Sequence, residues 1–137
     1  IARYLERLVL GDAAAGIDAD GVPVFETFND RPTVADGVAH ILERLPGVTG
    51  LLAMSDTMAR AAVAELAKRG LQVPADVSVV GFDDVEAPGG LPLTTLAQPI
   101  EAKGALAARM LFGMEPPAAR VLASVLEVRA STGPPRR

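Results

Sequence analysis

Two short apolar runs, Gly50-Leu51-Leu52-Ala53-Met54 and Val77-Ser78-Val79-Val80-Gly81-Phe82, each stop on a polar pair, Ser55-Asp56 and Asp83-Asp84. Such runs are short and continuous rather than alternating, which predicts strands covered on both faces. Between them Ala59, Ala62, Val63, Leu66 and Ala67 share one face of a helix that opens at Ser55-Asp56. Lys68 and Arg69 fall in its last turn and Gly70 at its end, as the helix dipole and the glycine cap favour. A second helix opens at Thr33-Val34-Ala35-Asp36, a pattern close to a capping box. Its stripe is Val34, Val38, Ile41, Leu42 and Leu45, and Pro46-Gly47 ends it.

The same alternation extends outward. Tyr4, Leu5, Leu8 and Val9 recur at helical spacing up to Ala15-Gly16, and residues 22–28 read as a strand. Downstream, 93–98 is an extended segment, Pro99 opens a helix to about Phe112, 121–128 is a last strand, and 131–137 is a polar, Pro-rich tail. Strands alternating with helices of this length predict right-handed βαβ units and an α/β fold with a parallel sheet.

Composition narrows the function. Of the 137 residues 50% are hydrophobic and 22% charged, which excludes a solvated, disordered segment. Aromatic residues are only 4%, so Ala, Val and Leu must build the core. The net charge is −4 and no Lys/Arg run exceeds two residues, against a nucleic-acid footprint on this segment. The absence of cysteine excludes disulfides, thiolate zinc sites and cysteine nucleophiles, and fits a cytoplasmic protein. No stretch approaches the ~20 apolar residues of a membrane helix, and no signal-peptide pattern is visible. The chain opens on Ile1 without an initiator Met, which reads as a piece of a longer protein.

In a parallel α/β sheet, ligands bind beyond the carboxyl ends of the strands. Three such ends carry polar groups: Phe28-Asn29, Ser55-Asp56 and Asp83-Asp84. Asp83 directly follows an apolar run and suits a hydroxyl acceptor, while Phe28 could cover an apolar sugar face. Competing roles weigh on each. Asp56 precedes a helix and reads first as its N-cap; Ser55 either shares the capping or turns into the cleft. Asp84 reads as a turn-former, and Phe28 and Asn29 are as compatible with core and rim. His40 lies on a helix with no second histidine to make a metal pair. There is no Gly-x-Ser-x-Gly elbow, no phosphate loop and no Gly-x-Gly-x-x-Gly, and adjacent Asp83 and Asp84 cannot share one substrate atom. The expectation is a binding module without catalytic residue, cofactor or metal.

Leu51 to Ala59, Arg69 to Asp84 (with Val-Pro-Ala-Asp-Val-Ser-Val-Val-Gly-Phe-Asp-Asp), Leu93 to Ile100 and Leu126 to Ser131 together resemble the lactose/galactose repressor (LacI/GalR) family. The likeness is strong over 48–132 and extends in outline over the first 47. It implies a type I periplasmic-binding-protein-like effector domain of two lobes, of which this chain carries a three-layer, parallel-sheet lobe. Residues 1–91 and the return strand 120–130 would form the C-terminal lobe, 92–119 would belong to the N-terminal lobe and dimer region, and 131–137 would be tail. Asp83 falls on the family's hydroxyl-binding aspartate and Ser55 on a polar effector contact that is often Asn. Gln98 and Ile100 fall on positions lining the cleft, and a family arginine corresponds to Arg3 or Arg7. The resemblance implies a homodimeric cytoplasmic regulator that senses a small polar effector, a carbohydrate, and grips operator DNA through a helix-turn-helix outside this sequence. The alternative is an exported solute-binding protein of the same fold. Ser55, a bulky charge at Arg60, and the long loop from Asn29 to Asp36 depart from the family pattern.

Overall fold

The computed structural model describes residues 16–17, 23–24, 33–85 and 87–135. Strand β1 (Gly16–Ile17) pairs antiparallel with β2 (Pro23–Val24). Gly16, expected to close a helix, therefore lies in a strand, and β2 is the described part of the strand expected over 22–28. The helix expected upstream lies outside the described residues. The main body follows: α1 (Val34–Arg44), β3 (Gly50–Leu52), α2 (Asp56–Lys68), β4 (Ser78–Phe82), β5 (Thr94–Ala97), α3 (Ile100–Leu111) and β6 (Val125–Glu127).

The sheet runs β3-β4-β5-β6, with β3/β4 and β4/β5 parallel and β5/β6 antiparallel. The expected α/β class and mostly parallel sheet are present. Local chemistry sets the helix starts. Thr33 Oγ1 accepts the Asp36 amide at 3.2 Å and donates to Asp36 Oδ2 at 2.6 Å, so α1 opens on a reciprocal pair of bonds.

Leu51 and Val79 are register partners in the sheet and point to one face. Against them pack Val38 and Ile41 of α1 and Ala59, Ala62 and Leu66 of α2, all buried. Alanines at 59 and 62 let α2 lie close on β4. The opposite face is more open among the described residues, with Leu52 40% exposed and Val80 and Phe82 half-buried. The expectation of strands covered on both faces is thus met fully on one, because α1 and α2 both lie on the Leu51/Val79 side.

Two boundaries differ from expectation. The last strand is Val125–Glu127, shorter than 121–128, because Val121 projects into solvent at 99% exposure before the chain reaches β5. The polar tail does not start at Ser131. Its hydroxyl donates to Val79 O at 2.6 Å and accepts the Thr94 amide at 2.8 Å, and Val79 N donates to Ser131 O at 2.8 Å. The β4/β5 register begins only at Val80 and Thr94, so Ser131 fills the gap where the two strands diverge. Gly133 N reaches Ser78 Oγ at 3.1 Å, which extends the attachment. By contrast α3 buries no residue, and Ile100, Leu111 and Phe112 are 56%, 82% and 74% exposed.

Candidate functional site

The carboxyl ends of β3, β4 and β5 meet at one edge of the sheet, as their parallel pairing requires. At the first end, Ser55 is the N-cap of α2: it has extended backbone and its Oγ accepts the Met58 amide at 3.2 Å. The expectation that Asp56 caps this helix is therefore corrected. Asp56 is its first helical residue, already turned inward, and only Ser55 retains the extended geometry a cap needs.

Asp56 is instead buried, 2% exposed, with both oxygens taken. Oδ1 accepts Thr95 Oγ1 of β5 at 2.7 Å, and Oδ2 accepts the Val85 amide at 2.7 Å. The carboxylate rests directly over Gly81 of β4, where any Cβ would collide with Oδ1 and lie 3.1 Å from Cγ. Its place in the first turn of α2 adds the favourable field of the helix dipole.

Beyond β4, Asp83 and Asp84 both adopt left-handed backbone, φ 100° and 61°. Such conformations cost a non-glycine residue roughly 1–3 kcal/mol and persist only where surroundings enforce them. Asp83 N donates to Leu96 O at 3.1 Å, and the Asp83 carboxylate accepts Gln98 Nε2 at 2.5 Å. Gln98 Oε1 in turn accepts Lys103 Nζ of α3 at 2.6 Å. Asp84 turns the other way, to Arg129 Nη1 at 2.6 Å, and that guanidinium also reaches Leu93 O at 3.1 Å. The hydrogen bond to Arg129 and its charge hold the Asp84 carboxyl below its ordinary range. The same bond and the Asp84 charge push the arginine upward, each shift against an opposing effect of desolvation smaller than the hydrogen bond.

The structure thus brings Ser55, Asp83 and Gln98 to one edge, with Ile100 exposed at the start of α3. Arg3, Arg7, Phe28 and Asn29 lie outside the described residues. Asp83 has no side-chain hydrogen bond other than that to Gln98 among the described residues, so it keeps capacity for ligand hydroxyls, whereas Asp56 is buried with each oxygen already engaged. A cleft of about 250 Å³ opens from Gln98 between α3 and residues 118–124, lined also by Lys103, Leu106, Met110 and Arg120. Among the described residues no group of three His, Cys, Asp or Glu side chains could hold a metal, and no helix is long and apolar enough to cross a membrane.

Sequence reasoning missed Thr95, Lys103 and Arg129. Gly81 inside a strand was the available signal of close approach, pointing to whatever packs on β4. Arg60, read only as a bulky charge, donates to Val85 O at 3.1 Å and Leu91 O at 3.5 Å.

The family model described as a periplasmic binding protein-like domain matches residues 4–132. An HTH-type transcriptional regulator of Mycolicibacterium smegmatis is 34% identical over 127 residues, covering 90% of this chain and 35% of the relative. Among solved structures, the transcriptional regulator CelR in complex with cellobiose matches with TM-score 0.63 at 32% identity, over 91% of this chain and 40% of that one. A LacI family regulator from Arthrobacter sp. FB24 in complex with lactose matches with TM-score 0.61 at 28% identity, over 73% and 40%. The chain spans about a third of the length of the curated relatives it matches.

Proposed function

This chain belongs to the periplasmic binding protein-like domain family, in the effector-binding form carried by LacI-family transcriptional regulators, and on that premise we propose that it senses a small sugar. The observation that carries the reading is Asp83. Its carboxylate stands at the carboxyl end of β4 with accepting capacity to spare, the arrangement suited to paired sugar hydroxyls. Ser55 and Gln98 flank it on the neighbouring strand ends, and Arg3 or Arg7, Phe28, Asn29 and Ile100 complete the proposed contacts. That two structural neighbours hold cellobiose and lactose supports a disaccharide.

In this reading residues 98–119, the part of 92–119 that follows β5, serve an N-terminal lobe, whereas β5 itself belongs to the sheet with β4 and β6. The sugar bridges the lobes, and closure alters how a homodimer grips operator DNA through its helix-turn-helix. The regulator works in the cytoplasm and is not an enzyme. The names of the relatives favour it over an exported solute-binding protein.

Calorimetry on the full-length regulator with cellobiose, lactose and their monosaccharides is the test. One of these sugars should bind, and Asp83→Ala should weaken it roughly 30- to 150-fold, about 2–3 kcal/mol, the cost of truncating a charged hydrogen-bond partner. An Asp83→Ala protein that binds as tightly as wild type defeats the assignment.

A further inference from the structure

Gly81 and Val85 flank the three residues Phe82, Asp83 and Asp84, and one buried side chain touches both. The Asp56 carboxylate occupies the space over Gly81 and accepts the Val85 amide. One helical turn further along α2, Arg60 donates to the Val85 carbonyl, so α2 engages both polar groups of the same peptide residue. We propose that Asp56 is the positioning residue of the effector site: holding both ends of this turn, it keeps Asp83 and Asp84 left-handed and so aims the Asp83 carboxylate at Gln98.

The physical need for such a residue lies in the backbone. Two consecutive non-glycine residues with positive φ relax toward ordinary conformations unless the chain on each side is fixed. Val85 is 53% exposed, and without Asp56 its amide would turn to water. The Asp83 amide on Leu96 O, the Asp84–Arg129 pair and the Arg60 bond to the Val85 carbonyl would then be the remaining restraints, none of which ties Val85 back to Gly81. The functional meaning of this placement rests on Asp83 as the effector contact, but the aim of the carboxylate can be read with no effector present.

The experiment is heteronuclear NMR on the 137-residue chain and on Asp56→Ala, Asp56→Asn and Thr95→Val. It follows the Val85 backbone amide and the Gln98 side-chain amide. In Asp56→Ala the Val85 amide should exchange with solvent roughly tenfold or more faster while the β4 amides stay protected, and the Gln98 resonances should move. Asp56→Asn should restore both, because its carbonyl can accept from Val85 while its amide donates to the Thr95 hydroxyl. Thr95→Val should lower the melting temperature yet leave Val85 and Gln98 in place, which separates positioning from general support. If Asp56→Ala does not fold, the wild type and Asp56→Asn still decide. A wild-type Val85 amide exchanging as fast as its exposed neighbour Ala87 overturns the proposal, as does an Asn variant whose Gln98 signal is lost. It is equally overturned if Thr95→Val moves Gln98 as far as Asp56→Ala does. Sugar calorimetry then keeps the two readings apart. If no sugar binds the full-length wild type, the assignment of Asp83 fails while the positioning result stands. If sugars bind but Gln98 is unmoved in Asp56→Ala, positioning alone fails.

Discussion

Replacing Gly81 by Ala adds one methyl group, and the structure makes it costly. The new Cβ would collide with Asp56 Oδ1 and sit 3.1 Å from Cγ and 3.3 Å from Cα. The carboxylate cannot step aside freely, since Thr95 and Val85 hold its two oxygens at 2.7 Å each. Giving up one such charge-assisted bond costs about 1.5–3 kcal/mol, and overpacking a filled site adds roughly 1–3. Gly81→Ala should therefore destabilise the chain by about 3–5 kcal/mol. With a urea slope of roughly 1–3 kcal/mol/M, the unfolding midpoint should fall by roughly 2 M with little change in slope. In an Asp56→Ala background the Oδ1 collision and the Cγ contact vanish while the 3.3 Å contact with Cα stays, and the added methyl should cost less than about 1 kcal/mol there. Urea titration followed by circular dichroism on the four members of this cycle measures the coupling. A Gly81→Ala protein within about 0.5 kcal/mol of wild type, or an equal cost in both backgrounds, refutes the idea that the carboxylate is pinned over Gly81.

Ser55→Ala should lower stability by about 1 kcal/mol and speed exchange of the Met58 amide, since Ser55 caps α2; an unchanged melting temperature and Met58 exchange would count against it. The Asp84–Arg129 pair makes a distinct acid signature: because the folded Asp84 carboxyl titrates below 3.8, its contribution is complete above that pH and fades as pH falls through the lower folded value. Arg129→Met should flatten this part of the melting-temperature profile. Added salt should shrink the effect, because the side chains are 35% and 32% exposed; a salt-independent profile shared by wild type and variant would contradict the pair's role.

Much of the fold was legible because periodicity reports burial directly. The apolar runs ending at Met54 and Phe82, and the stripes of α1 and α2, predict elements that the structure contains. What sequence could not show are long-range hydrogen bonds. Asp56 sits where local rules favour a cap, and only the arrival of Thr95 and Val85 from distant positions makes it a buried acceptor. Ser131 lies in a polar, Pro-rich stretch that reads as tail, yet the opening between β4 and β5 draws its hydroxyl inside. The placement of Asp83 at a strand end was legible from the apolar run before it. Its left-handed backbone was not, because nothing in Asp-Asp marks positive φ.

The contact between Ser131 and Val79 spans 52 positions, and that between Gly133 and Ser78 spans 55. During synthesis β4 therefore emerges long before the residues that complete it, and the whole of α3 is made in between. Closing so long a loop is slow relative to forming the α1 to β4 neighbours. Until residue 131 is free of the ribosome, the Val79 carbonyl and the Thr94 amide have no permanent partner, and water must serve both. A chain stalled just after α3 would carry a sheet that is assembled but unlatched, open to exchange and to proteases at the edge where β4 and β5 part.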